Sequence, residues 1–185
     1  NIMKAIESVN WADEVLVCDM YSDDKTVEIA KKAGAKIIFH KRLNYVEPAR
    51  NFAISKAAHD WVLVLDPDEE VPQALKIELV QIANKMAQIS HVRIARKNII
   101  FGKWMKASMW WPDYNIRYFK KGAVEWTDKI HKAPKVNGEG LDLLSEEKLA
   151  LIHHHYETVP QFLERMLRYT SIQADELRKE GYKFD

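Results

Sequence analysis

The chain has 185 residues, and its 28 Lys and Arg nearly balance 27 Asp and Glu for a net charge of +1. That balance gives no electrostatic footprint for nucleic acid, and 47% hydrophobic with 30% charged residues is the composition of a soluble globular protein. One cysteine, Cys18 within an apolar run, excludes a disulfide framework and fits a reducing, cytoplasmic compartment. The length suits one domain with a real core, and neither a signal peptide nor a membrane-spanning stretch is visible.

Ile2, Ala5, Ile6 and Val9 recur at helical spacing. The chain thus starts inside a helix, and without Met, which points to a longer parent protein. Residues 14–18 read as a buried strand ending at Asp19. Ser22, Asp23 and Asp24 offer caps for a helix over 25–33, and Gly34 stops it. A second strand follows over 36–40, and Pro48 suits the first turn of a helix over 49–58. Trp61 to Leu65 is an unbroken apolar run that predicts a parallel strand buried on both faces. It ends abruptly at the carboxylates Asp66, Asp68, Glu69 and Glu70. Pro72 opens an amphipathic helix with Leu75, Leu79, Ile82, Ala83 and Met86 on one face. Such alternation over about residues 1–90 predicts an α/β fold, a mostly parallel sheet flanked by helices.

The texture changes after Ser90. Residues 91–101 predict a strand, residues 109–119 are rich in aromatics, and Lys120–Gly122 reads as a hairpin turn into 123–126. These predict a small antiparallel portion within the half spanning 91–185. Residues 136–140 read as a loop and 149–153 as a last strand. Pro160 opens a helix to about Lys179, with Phe162, Leu163, Met166, Leu167 and Tyr169 available for burial. Its Arg165, Arg168, Arg178 and Lys179 allow peripheral contact with an anionic membrane; Glu164, Asp175, Glu176 and Glu180 between them equally describe a solvated face.

Asp66 and Asp68 flank Pro67, and alternate residues of an extended segment point the same way. Two carboxylates so placed repel unless a cation sits between them, and hard oxygens suit Mg²⁺ or Mn²⁺. The other reading is an acidic cap on the next helix. His153, His154 and His155 alternate across a strand, so at most two converge on one metal. Of Trp104, Trp110, Trp111, Tyr114, Tyr118 and Trp126, most read as core, with Trp110 or Trp111 left to stack on a sugar ring.

Several segments align in order with one family: 5–15, Asp19, Pro48–Ala53, Trp61–Glu69, Pro112–Phe119, Ile130-His131, His153 before Tyr156, and Phe162–Thr170. Across nearly its whole length the chain resembles the family 2 glycosyltransferases of GT-A (Rossmann-like) fold, especially the branch of lipopolysaccharide core β-glucosyltransferases. The resemblance implies transfer of a sugar, with inversion, from a nucleotide-sugar to an acceptor hydroxyl. The donor would be a UDP-sugar first and a GDP-sugar next; the acceptor would be a saccharide or lipid-linked saccharide of the cell envelope. Asp66-Pro67-Asp68 falls at the family's DXD position, which holds a divalent metal on the diphosphate, and His153 resembles a third metal ligand. Asp19 and Arg50 match positions that contact the nucleotide, as does Asp66.

The chain also departs from the family pattern. Relatives usually show His-Glu where this chain has His131-Lys132, and that glutamate is the natural proton acceptor. An ammonium cannot take its role, so Asp128 is the substitute base beside His131, with a turn-capping aspartate as the plainer reading. Ser22-Asp23-Asp24-Lys25-Thr26 lacks the glycine relatives have in that loop, and the family's first strand would precede Asn1. These departures keep two alternatives open: an impaired sugar-nucleotide or saccharide-binding module, and a metal-dependent phosphohydrolase.

Overall fold

The computed structural model describes residues 2–43, 46–127, 133–179 and 181–182. Helix α1 (Ile2–Ser8) buries Ala5 and Ile6 and leads to strand β1 (Leu16–Asp19). Helix α2 (Thr26–Lys32) follows, and Gly34 turns the chain at φ +83°, a conformation that favours glycine, into strand β2 (Lys36–Phe39). β1 and β2 pair in parallel as a separate two-stranded sheet. Ala30, Ala35 and Ile6 form a small core beneath them.

Helix α3 (Glu47–Lys56), with Pro48 in its first turn, precedes β3 (Trp61–Leu63). A two-residue strand, β4 (Glu69–Glu70), comes next, then helix α4 (Gln73–Lys85). The apolar period of α4 behaves as its spacing predicts: Leu75, Leu79 and Ile82 have no exposed surface. Burying a side chain of that size is worth about 1.5–3 kcal/mol. The three pack with Val92, Ile94, Tyr118 and Leu151 in the main core.

The later half supplies the centre of the molecule. β5 (Ile89–Ile100) runs for 12 residues and pairs antiparallel with both β6 (Lys103–Trp104) and β7 (Asp113–Lys120). It pairs in parallel with both β10 (Glu139–Asp142) and β11 (Leu151–Tyr156). The resulting seven-stranded sheet carries the path β3-β7-β5-β11-β4 and is mixed. Helices flank it, so the α/β class stands. The predicted parallel pairing of the Trp61 run does not, because β3 pairs antiparallel with β7. The antiparallel strands also form the middle of the sheet rather than an appendage.

Gly122 turns the chain after β7 at φ +88°, yet β8 (Val124–Glu125) pairs with β9 (Lys135–Val136), so the turn does not close a hairpin. The last helix, α5 (Val159–Lys179), has no fully buried residue and leaves Leu163, Met166 and Leu167 exposed. Among the described residues no helix is long and apolar enough to cross a membrane.

Candidate functional site

Where β3 ends, the backbone turns. The Glu69 N–H donates to the Asp66 carbonyl at 2.9 Å, closing a turn with Pro67 at its first corner. The Glu69 carboxylate reaches back to accept the Asp66 N–H at 3.0 Å. An extended segment would aim Asp66 and Asp68 together; this turn sends them apart.

Asp66 faces arginines. Arg50 from α3 donates to Oδ1 at 3.0 Å and Arg117 from β7 to Oδ2 at 2.7 Å. Arg117 also donates to Glu69 Oε1 at 2.6 Å, and Arg96 of β5 stands 3.7 Å from the same oxygen. Glu69 is fully buried and Arg117 is 3% exposed. Burial works to raise the Asp66 pKa, but Arg117 and Arg50 outweigh it and hold the carboxyl well below the usual range. Burial and the neighbouring Asp66 charge push Glu69 upward.

Asp68 faces the other way, toward β11 and α5. His154 N–H donates to the Asp68 carbonyl at 2.9 Å, fixing the turn against β11. The side chain then lies 3.7 Å from His153 Nε2 through Oδ1 and 3.5 Å from Arg165 Nη1 through Oδ2. Burial, with Asp66 adding, raises the Asp68 pKa. Burial pushes His153 down to about 3 and His155 to about 4, so both rings are neutral at pH 7. His155 Nδ1 lies 3.2 Å from His153 Nε2, and the Trp110 ring packs on His155 at 5.5 Å. His154 points away, to Glu70 at 2.8 Å, as strand alternation requires.

The sequence candidates therefore separate into groups. Asp68 and His153 come together, as do Asp66 and Arg50, whose guanidinium also lies 5.8 Å from the Trp126 ring centroid. Asp19, 4% exposed at the end of β1, uses its carboxylate on the following turn, accepting from Ser22 N at 3.0 Å and Ser22 Oγ at 2.6 Å. Asp128 and His131 lie outside the described residues. The reading of residues did not assign Glu69, Arg96, Asn98, Arg117 or Arg165 to the site. A lone arginine inside the apolar run Ile116-Arg117-Tyr118-Phe119 was the available signal, since a buried guanidinium demands a carboxylate partner.

Among the described residues, no three or more His, Cys, Asp or Glu side chains form a metal-binding group. Asp68, with His153 beside it, is the carboxylate that would hold a phosphate-bridged Mg²⁺ or Mn²⁺, a kind of site that needs only one or two protein ligands and fills the rest from substrate oxygens and water. Asp66 does not fit as a direct ligand while two guanidinium groups occupy its oxygens.

Comparison with known proteins follows the same lines. The chain is 34% identical over 192 residues to an uncharacterised glycosyltransferase of Rickettsia typhi, an alignment covering 99% of this chain and 65% of that protein. It is 32% identical to a second one, from Rickettsia prowazekii, over 98% of this chain and 65% of that protein. The chain thus spans just under two thirds of the length of these relatives. Among solved structures, S. aureus TarS (residues 1–349) superposes with a TM-score of 0.57 at 18% identity, over 88% of this chain and 58% of that one. Mannosyl-3-phosphoglycerate synthase from Rubrobacter xylanophilus gives 0.52 at 14% identity, over 100% and 71%. These likenesses show a GT-A-like α/β fold. The model of the family described as "Glycosyl transferase family 2" matches residues 1–135, from α1 to the start of β9, taking in the carboxylate turn and both of its arginines, and the chain belongs to that family.

Proposed function

We propose that this chain is the catalytic domain of an inverting glycosyltransferase that moves a sugar from a nucleotide-sugar, a UDP-sugar in preference to a GDP-sugar, to an acceptor hydroxyl. The observation that carries this reading is the facing of Asp68 and His153 at 3.7 Å, two lone-pair donors on elements that only the tertiary fold joins. A Mg²⁺ or Mn²⁺ held there by Asp68 and His153 would supply Lewis-acid stabilisation to the departing diphosphate. Arg165 adds a fixed cation at the same carboxylate, suited to phosphate oxygens. Arg50, held by Asp66 and lying against Trp126, would reach the nucleotide; Asp19 shapes the turn that would border the base or ribose. Asp128 remains the proposed acceptor of the hydroxyl proton, with His131 beside it in sequence.

The acceptor in this reading is a saccharide or lipid-linked saccharide of the cell envelope, as in lipopolysaccharide core synthesis. Trp110, packed on His155 beside His153, would stack on a sugar ring of that acceptor. Exposed Leu163, Met166 and Leu167 on α5 would allow peripheral membrane contact.

Calorimetric titration of UDP and of GDP, with Mn²⁺ and then with EDTA, tests the reading. One nucleotide binds in a metal-dependent way to the wild type and not to Asp68→Ala. Absence of binding by either nucleotide under any of these conditions overturns it.

A further inference from the structure

Which nitrogen of His153 carries the proton decides what the neutral ring can bind. The answer lies with Asn98, a fully buried amide in the middle of β5. Its Nδ2 donates to the Trp110 carbonyl at 3.1 Å and to Asp113 Oδ2 at 3.0 Å. Both partners are acceptors, so a flipped amide would set its oxygen against two other oxygens; the orientation is chemically determined. Oδ1 of Asn98 is therefore the atom that faces His153 Nδ1, at 2.6 Å. An amide oxygen only accepts, so Nδ1 must hold the hydrogen.

Nε2 is then left with its lone pair. That is the nitrogen 3.7 Å from Asp68, and it lies 3.2 Å from His155 Nδ1. Asp113 is itself pinned: Arg96 donates to its Oδ2 through Nε at 2.9 Å and lies 2.6 Å from it through Nη2, and Asn115 donates to Oδ1 at 3.0 Å. The relay Arg96–Asp113–Asn98–His153 thus links β7, β5 and β11.

We infer that Asn98 is the positioning residue of this site: it locks His153 in the Nδ1–H tautomer and so leaves a lone pair on Nε2, the nitrogen that lies nearer Asp68. What that lone pair binds rests on the metal reading proposed above; the tautomer does not. A ring that ligates through one nitrogen generally donates from the other, and losing such a partner costs about 10–100-fold in metal affinity.

Two-bond ¹H–¹⁵N spectra of metal-free, ¹⁵N-labelled protein test the inference, with His153→Gln assigning the ring signals. The wild type shows a protonated Nδ1 and a bare Nε2, and in Asn98→Leu the proton spreads onto Nε2. Mn²⁺ broadens the His153 signals of the wild type, and Asn98→Leu needs about 10–100-fold more Mn²⁺ for the same effect. A protonated Nε2 in the wild type, or an unchanged tautomer in Asn98→Leu, overturns the inference. The wild-type spectrum decides alone should the variant not fold. An Nδ1–H ring that ignores Mn²⁺ supports the positioning role and instead removes His153 from the metal site.

Discussion

Arg117 and Glu69 meet at 2.6 Å in the interior, and the same guanidinium reaches Asp66 at 2.7 Å. One buried cation thus ties the turn after β3, the start of β4 and the middle of β7 together. Removing one member of a buried ion pair strands the other charge, which costs about 3–5 kcal/mol. Arg117→Met should lower stability by that amount in urea unfolding, and Arg117→Met with Glu69→Gln should recover part of it. Equal losses in the single and double variants would show that the pair is not coupled.

The divergence of the two aspartates gives a second expectation. Asp68 looks toward His153, whereas Asp66 is occupied by Arg50 and Arg117. Mn²⁺ affinity read by electron paramagnetic resonance should fall at least about a hundredfold in Asp68→Asn, the upper end of what even a supporting group costs. In Asp66→Asn the metal affinity should persist while nucleotide affinity drops through a loosened Arg50. Loss of Mn²⁺ affinity in Asp66→Asn alone would reverse the assignment.

Acid should destabilise this fold early. His153 and His155 are held by burial far below 6.5, their usual value, so the unfolded chain takes up protons that the folded one refuses. A depressed histidine therefore costs stability as pH falls through its unfolded value, and the loss grows until the folded value is reached. As pH falls from 6.5 to 5, the slope His153 contributes grows from about 0.7 toward about 1.4 kcal/mol per pH unit. Urea midpoints at pH 7 and pH 5 should differ more in the wild type than in His153→Gln. A wild type as steady as the variant would show that the ring is not buried neutral.

Gly140 offers a packing test away from the site. A Cβ there would meet His91 Nε2 at 2.5 Å, and Ser90 Oγ, 3.0 Å from His91 Nδ1, restrains that ring. Gly140→Ala should cost about 1–3 kcal/mol as an overpacked contact. Adding His91→Ala should make the Gly140→Ala change nearly neutral in thermal unfolding.

The order of helices and strands was legible wherever one residue in three or four, or a short unbroken run, had to be buried. α4 is the plainest case, with Leu75, Leu79 and Ile82 all sealed. Partner choice was not legible, because pairing is tertiary. Nothing in Trp61–Leu65 says that Trp61–Leu63 will lie against Tyr118–Lys120 in reverse. At the site, the spacing of Asp66 and Asp68 predicted two carboxylates on one face, but alternation assumed an extended backbone. The turn closed by Glu69 broke that assumption. Asn98 carried no signal at all: an amide between Lys97 and Ile99 looks like any polar residue of a strand until its partners are seen.

The pairing of β4 with β11 has a consequence in time. Glu70 and His154, hydrogen-bonded at 2.8 Å, are 84 residues apart in the chain. Contacts of such separation must overcome the entropy of closing a long loop before they return any stabilisation, and they slow folding. On the ribosome, Asp68 emerges long before His153 exists. The turn from Asp66 to Glu69 can close on itself while its histidine is still unsynthesised, but it is fixed in place, and Asp68 meets His153, only as β11 closes the sheet.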